Sequence, residues 1–396
     1  MTNLLRTVLA VTLTCGTTLS VLAGQGPPPG PVNPGVYPGF WGTGANTLNT
    51  GVSASGAIVV GQVGGAMAYR WDRVGYTQAM LNPIDGSGIG DAGQTVFPGI
   101  NGVSADGLVT VGAVYPGANN GLGDSVRWNP TAAGTAATYL ASANGNPATD
   151  AARASNFDGS IIVGYQFFYV PSTGVAAQRP VRWDNGAPSQ MISPSGYTFG
   201  EANGVNSNGD VIVGYSFSTP AYTASATIWN SGVPTAVGGI IPGGASSFVG
   251  VNPVGDLAVG FAFDGSANVA VVYDPAAPGF SVLPALAGTT SGLARDASTN
   301  WDVVGSMNFG AGGSAAFLWN TTLGTVDLNS YLASLGFNLT GWNLTSAYAI
   351  SSDGLTIVGG GTHFGQMEGW VVTIPTPGAA AVAALSLIPA LRRRRS

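Results

Sequence analysis

The segment DVIVG, residues 210–214, recurs six more times along the chain. The other copies are AIVVG (57–61), LVTVG (108–112), SIIVG (160–164), DLAVG (256–260), WDVVG (301–305) and LTIVG (355–359). The seven align without gaps, and every one ends in Val-Gly. Five residues before each terminal glycine stands a turn residue: Gly56, Gly107, Gly159, Gly209, Gly255 and Gly354, with Asn300 in the sixth copy. Glycine and asparagine tolerate positive φ, so this position reads as a left-handed turn that feeds a short β-branched strand. Ten to nineteen residues beyond each Val-Gly comes an aromatic: Trp71, Trp128, Trp183, Trp229, Tyr273, Trp319 and Trp370. In six copies Asp or Asn follows it. A weaker strand such as VPTAV (233–237) comes next, and a short one such as NGVN (203–206) precedes the turn. Each repeat therefore holds about four strands. The Val-Gly glycines are spaced by 51, 52, 50, 46, 45 and 54 residues, near the length of a four-stranded propeller blade. The expectation is an all-β chain whose residues 45–373 form a seven-bladed β-propeller, with an open stack of sandwiches as the alternative. Ring closure buries edges that an open array exposes. The valine and the aromatic should pack between blades, and the glycine should mark close approach of strands near the axis.

The chain has 396 residues, 45% of them hydrophobic and only 8% charged, against about 25% in an average domain. It contains no lysine, and its twelve cations are all arginine. That composition excludes a basic nucleic-acid binder and a disordered polyelectrolyte. Cys15 is the single cysteine, which excludes a disulfide framework and thiolate chemistry beyond the N-terminal segment.

The two ends read as addresses. Residues 1–23 have Arg6, then an apolar run, then Val21-Leu22-Ala23, as expected of a secretory signal peptide cut between Ala23 and Gly24 by signal peptidase. Residues 24–44, with GPPPGPVNPG, read as a stiff linker. At the other end Pro375-Thr376-Pro377 leads into an apolar run from Ala379 to Leu391, then Arg392, Arg393, Arg394 and Arg395. Removing both ends leaves seven arginines against eighteen carboxylates, a net charge of −11.

A Pro-containing motif, an apolar run and a terminal arginine cluster resemble the PEP-CTERM sorting signal of Gram-negative bacteria, here over residues 374–396. Thr376 stands where that motif has glutamate. The resemblance implies an exosortase-type membrane protease as partner, transient anchoring in the inner membrane through the tail, and release or attachment at the cell surface. The repeat pattern itself, with the insert at 327–354, resembles the HAF family of bacterial extracellular repeats. That family carries no established activity. Within the insert, Leu328, Tyr331, Leu332 and Leu335 predict one short amphipathic helix.

No catalytic constellation is legible. His363 is the only histidine, in a loop where exposure is expected, and Glu201 and Glu368 are the only glutamates. Asp106, Asp158, Asp210, Asp256 and Asp353 recur at the turns, a pattern that can hold Ca²⁺, but one carboxylate per turn is explained by self-capping. No cofactor is expected. Arg70, Arg127 and Arg182 precede blade tryptophans and suggest interblade hydrogen bonds. The non-repeating aromatics Phe167, Phe168, Tyr169, Phe217, Tyr222, Phe309 and Phe364 follow the Val-Gly strands and are the candidate ligand contacts. The reading is a secreted or cell-surface, non-enzymatic interaction or matrix protein. The alternative is a lectin-like propeller for exopolysaccharide, and a third reading is a polysaccharide hydrolase or lyase with convergent carboxylates.

Overall fold

The computed structural model describes residues 39–375, apart from 64–66, 75–76, 82–95, 117–123, 132–133, 144–149, 171–174 and 219–222. Residues 1–38, which include the expected signal peptide, and residues 376–396 lie outside the described residues. The chain forms seven four-stranded antiparallel sheets, a seven-bladed β-propeller. Blade 4 shows the plan: an innermost strand Phe199–Val205, a turn, the Val-Gly strand Val211–Phe217, the tryptophan strand Ser225–Asn230 and an outer strand Val233–Gly238. The turns and the hairpins after the aromatics share one face of the ring, the turn face. The longer connections share the other, the loop face.

The interblade expectation holds at every junction. Val60 packs with Trp128, Val111 with Trp183, and Val163 with Trp229. Val213 packs with Tyr273, Val259 with Trp319, Val304 with Trp370, and Val358 with Trp71 across the seam. Each blade thus places its valine in the core shared with the next blade's aromatic. Burial of apolar area and close packing hold the ring.

The glycine of Val-Gly does mark a close approach of strands, to the backbone of the innermost strand. It sits within its own blade, opposite the residue just before a β-bulge in the innermost strand: Gly214 opposite Ala202, Gly260 opposite Phe248, Gly359 opposite Ala347. A Cβ on Gly214 would enter the van der Waals shell of Glu201 O. Close approach between blades falls to Gly204 and Gly250, whose backbones meet across neighbouring innermost strands.

The turns contain a cap that the repeat reading passed over. Ser53, Ser104, Asn156, Asn206, Asn252, Ser298 and Ser351 are all buried, three residues before the left-handed position. Each side chain accepts a hydrogen bond from a backbone N–H of its own turn or of the strand that follows, as Val211 N does to Asn206 Oδ1 at 3.1 Å. Asp106 and Asp353 accept from the N–H two residues on, the expected self-capping. In the sixth copy the left-handed residue is Trp301 (φ 65°), not Asn300, because that copy has one residue fewer between turn and strand.

Neighbouring turns are laced by backbone hydrogen bonds around the axis: Ala54 N to Ala105 O, Asp106 N to Phe157 O, Phe157 N to Ser207 O, Ser207 N to Pro253 O, Thr299 N to Ser352 O and Ser352 N to Ala54 O. The junction between blades 5 and 6 lacks one because Pro253 has no N–H. There Trp301 Nε1 donates to Asp256 Oδ1 at 3.1 Å instead. Inside this collar lies a cavity of about 100 Å³ lined by Val52, Val103, Val205, Val251 and Asp296 among others.

The propeller begins at Gly39, not at residue 45. Gly39–Ala45 is the outer strand of blade 7, antiparallel to Gln366–Thr373. The expected linker therefore ends before Gly39, and the first strand of the ring closes its last blade. Phe40 is fully buried there, 5.1 Å from Trp342 and 6.5 Å from Trp370. The expected helix is Leu328–Ser334, capped by Asp327, with Leu328 and Leu332 buried. Leu335 is its C-cap and is exposed rather than on the apolar face.

Candidate functional site

The loop half of blades 3 and 4 carries the densest non-repeating chemistry. In blade 3 the Val-Gly strand Ile161–Val170 and its partner Val175–Asp184 each run ten residues. Side chains alternate along such a strand, so Tyr165 and Phe167 point to one face and Gln166 and Phe168 to the other.

The first face meets blade 4. Glu201, buried on the innermost strand of blade 4, forms an ion pair with Arg153 of blade 3. Its Oε2 accepts hydrogen bonds from Gln178 Nε2 at 2.9 Å and Tyr215 OH at 3.1 Å. Arg153 lies over the Tyr165 ring at 5.2 Å. Tyr165 meets Phe167 edge-on at 5.6 Å. On the blade 4 side Phe217 packs against Phe199 at 5.2 Å and Tyr215 at 6.1 Å. All five rings are half-buried. The result is a cluster of five rings around the Arg153–Glu201 ion pair, where blades 3 and 4 meet. Burial, then the charge of Glu201, drives the Tyr215 phenol well above its usual range.

The second face meets blade 2. Asp150, buried at the start of its innermost strand, accepts from Ser125 N and from Gln166 Nε2, the latter at 2.6 Å. Asp124 lies near enough for its carboxyl to feel the Asp150 charge. Burial pushes both carboxyls up to about 6, and the Asp150 charge adds to the shift of Asp124. Asp124 Oδ1 is buried without a hydrogen-bond partner.

A third cluster sits at the loop end of blade 7. His363 is sandwiched rather than exposed. It stacks on Trp342 at 4.4 Å and beside Phe364 at 4.6 Å, and its Nδ1 is 2.9 Å from Glu368 Oε2. Glu368 Oε1 also accepts from Gly44 N, tying this cluster to the closing strand. Phe364 is 74% exposed with φ 48°, in a hairpin position that favours Asn or Gly.

Of the candidate aromatics, the structure brings Phe167 and Phe217 into the ring cluster where blades 3 and 4 meet. Phe168 turns to the opposite face, partly packed in the core shared with blade 2, with Arg179 over its ring. Phe309 is exposed at the end of the Val-Gly strand of blade 6, and Phe364 is on blade 7. Tyr222 and the side chain of Tyr169 lie outside the described residues. So do the residues expected to direct processing, Ala23, Gly24, Thr376, Pro377 and Arg392–Arg395, while Pro375 is the last residue described. Arg70 and Arg182 reach the turn of the next blade, at Gly107 O and Gly209 O, whereas Arg127 bonds Asn129 of its own strand. Sequence reasoning missed Arg153, Gln178, Asp124 and Asp150 as site residues. A signal existed: at the places where Asp150 and Glu201 stand, the corresponding innermost-strand residues of other blades, such as Leu48, Ser246 and Ser247, are uncharged. Among the described residues no three His, Cys, Asp or Glu side chains gather as a metal site.

No model of a known protein family matches the chain, and no curated protein matches it. Solved structures share the fold. The β-propeller domain of the Trilobed protease from Pyrococcus furiosus is 11% identical, with a TM-score of 0.52 over 83% of this chain and 95% of that one. A prolyl endopeptidase is 13% identical, with a TM-score of 0.53 over 81% of this chain. A puromycin hydrolase is 13% identical, with a TM-score of 0.50 over 79% of it. The chain spans about half the length of the last two. At these identities the likeness establishes the propeller and nothing about activity.

Proposed function

We propose that this chain is an exported, surface-displayed binding propeller that takes a carbohydrate chain at the aromatic cluster between blades 3 and 4. The observation that carries the reading is this cluster: five half-buried rings around an ion pair whose carboxylate is held by Gln178 and Tyr215 as well as Arg153. Partly exposed aromatic faces beside fixed hydrogen-bonding groups suit the apolar face and hydroxyl edge of a pyranose. A carboxylate engaged by arginine, glutamine and tyrosine is positioned to hold a ligand rather than to shuttle protons. Export rests on the leader at 1–23 and on the PEP-CTERM-like tail at 374–396, which would hold the ring at the inner membrane until an exosortase-type protease acts near Pro375–Pro377. The test is calorimetric titration of the mature ring with extracellular polysaccharide. Binding that falls at least tenfold in Phe167→Ala and Phe217→Ala supports the reading, and unchanged affinity in both overturns it.

A second reading has its own observation. Asp124 and Asp150 are two carboxyls in one site with elevated pKa values, the arrangement general acid/base hydrolysis uses. Release of reducing ends that disappears in Asp150→Asn, with binding at the aromatic cluster intact, would move the assignment to an enzyme.

A further inference from the structure

The two ends of the described chain leave the ring side by side. Gly39 pairs with Thr373, so the N-terminal segment enters where the last strand ends. Both positions lie at the turn-face edge of blade 7. Ile374 stays on the ring, its N–H donating to Leu355 O at 2.8 Å, directly after the blade 7 turn. Only four residues, Pro375 to Gly378, then separate the folded ring from the apolar run that starts at Ala379.

Those four residues reach at most about 14 Å. The strand they follow, Gln366–Thr373, has eight residues and stands roughly 26 Å tall between the two faces. A tether of 14 Å cannot run back up a blade of 26 Å. While the tail is in the bilayer, the loop face cannot face the membrane.

Resting on the proposed reading of the tail as a membrane anchor, we infer that the anchored ring stands on its turn face, with the aromatic cluster between blades 3 and 4 directed away from the bilayer. The cluster is then open to ligand before any cleavage, and the protease must work at the turn-face rim of blade 7, within a few residues of folded structure. The face turned to the lipid is acidic. It holds the five aspartates of the turns together with Asp72, Asp184, Asp274 and Asp302, against Arg70, Arg73 and Arg182, whose guanidiniums reach the same face. Anionic headgroups repel such a face.

The test uses the chain from Gly24 to Ser396, without Cys15 and with the tail included, reconstituted into vesicles carrying a headgroup-linked acceptor dye. The ring has no cysteine of its own, so single donors go at Val74→Cys on the turn face of blade 1 and at Met367→Cys on the loop face of blade 7. Both native side chains are exposed. The expected result is strong transfer from position 74 and weak transfer from 367, a separation of about one strand height, roughly 26 Å. Equal or inverted transfer from vesicle-bound protein overturns the orientation. Protein that stays in the supernatant with its tail intact overturns the anchor reading instead, and flotation before the transfer measurement separates the two failures.

Discussion

Asp296 offers the sharpest physical test of the ring. It occupies the innermost-strand position just after the bulge, where other blades have Gly51, Gly102, Gly204 and Gly250. Its carboxylate accepts from Ile350 N and Ala297 N, each at 2.9 Å, yet burial pushes its pKa from 3.8 up to about 7. At about 1.36 kcal/mol per pKa unit, that shift amounts to about 4 kcal/mol. Asp296 also lines the axial cavity, where water can reach it, and that access reduces the cost to about 2 kcal/mol. For an acid whose folded pKa is raised, the folded state binds more protons between the two values. Stability is therefore fully present below about pH 4, falls as pH rises toward 7, and is flat above. Asp296→Asn removes this term and loses one acceptor for a backbone N–H, costing about 1 kcal/mol. The variant should be about 1 kcal/mol less stable than the parent at pH 4 and about 1 kcal/mol more stable at pH 8, crossing between. Urea unfolding followed by tryptophan fluorescence at both pH values measures the difference, and subtraction removes the contributions of Asp124 and Asp150. A variant less stable by the same amount at both pH values would refute the reasoning.

Phe40→Ala empties a site between Trp342 and Trp370 in the closing strand and should cost about 3–5 kcal/mol, with limited proteolysis cutting first in residues 39–46. Gly214→Ala should cost about 1–3 kcal/mol in urea unfolding, since its Cβ meets Glu201 O, whereas Gly232→Ala meets no atom and pays only for its φ of 82°. Phe364→Asn should raise stability by about 0.5–1 kcal/mol by relieving a strained hairpin position, unless the lost stacking on His363 outweighs it; a drop beyond 1 kcal/mol would show that stacking prevails. EDTA should leave the thermal midpoint within about 1 °C, because the turn aspartates Asp106 and Asp353 are satisfied by their own turns.

The blade was legible because its parts lie close together in the chain. Turn, Val-Gly strand and aromatic recur within about twenty residues, and each has a local physical reason. The closing strand was not legible. Gly39–Ala45 pairs with a strand more than three hundred residues later, and its neighbours are the proline-rich residues before it. Local pattern carries no information about a partner so distant. The shift from Asn300 to Trp301 was hidden in another way. Gap-free alignment on Val-Gly cannot reveal a missing residue in the turn, whereas the buried Ser or Asn three residues before the left-handed position would have fixed it. The aromatic cluster escaped because Arg153 and Glu201 sit forty-eight residues apart and meet only when blades 3 and 4 stand side by side.

The division between legible and hidden follows the two halves of each blade. Toward the turn face the copies keep the buried Ser or Asn, the left-handed residue and the collar of backbone hydrogen bonds, because each blade there must match its neighbour. Toward the loop face the described residues form no corresponding collar of backbone hydrogen bonds. Every cluster with chemistry of its own lies in that half: Arg153 with Glu201, Asp124 with Asp150, and His363 with Glu368. The tail proposed as an anchor follows Thr373, at the opposite face. One face can therefore be constrained by ring closure while the other diversifies residue by residue, and the seven-fold pattern that reveals the ring is silent about what the ring holds.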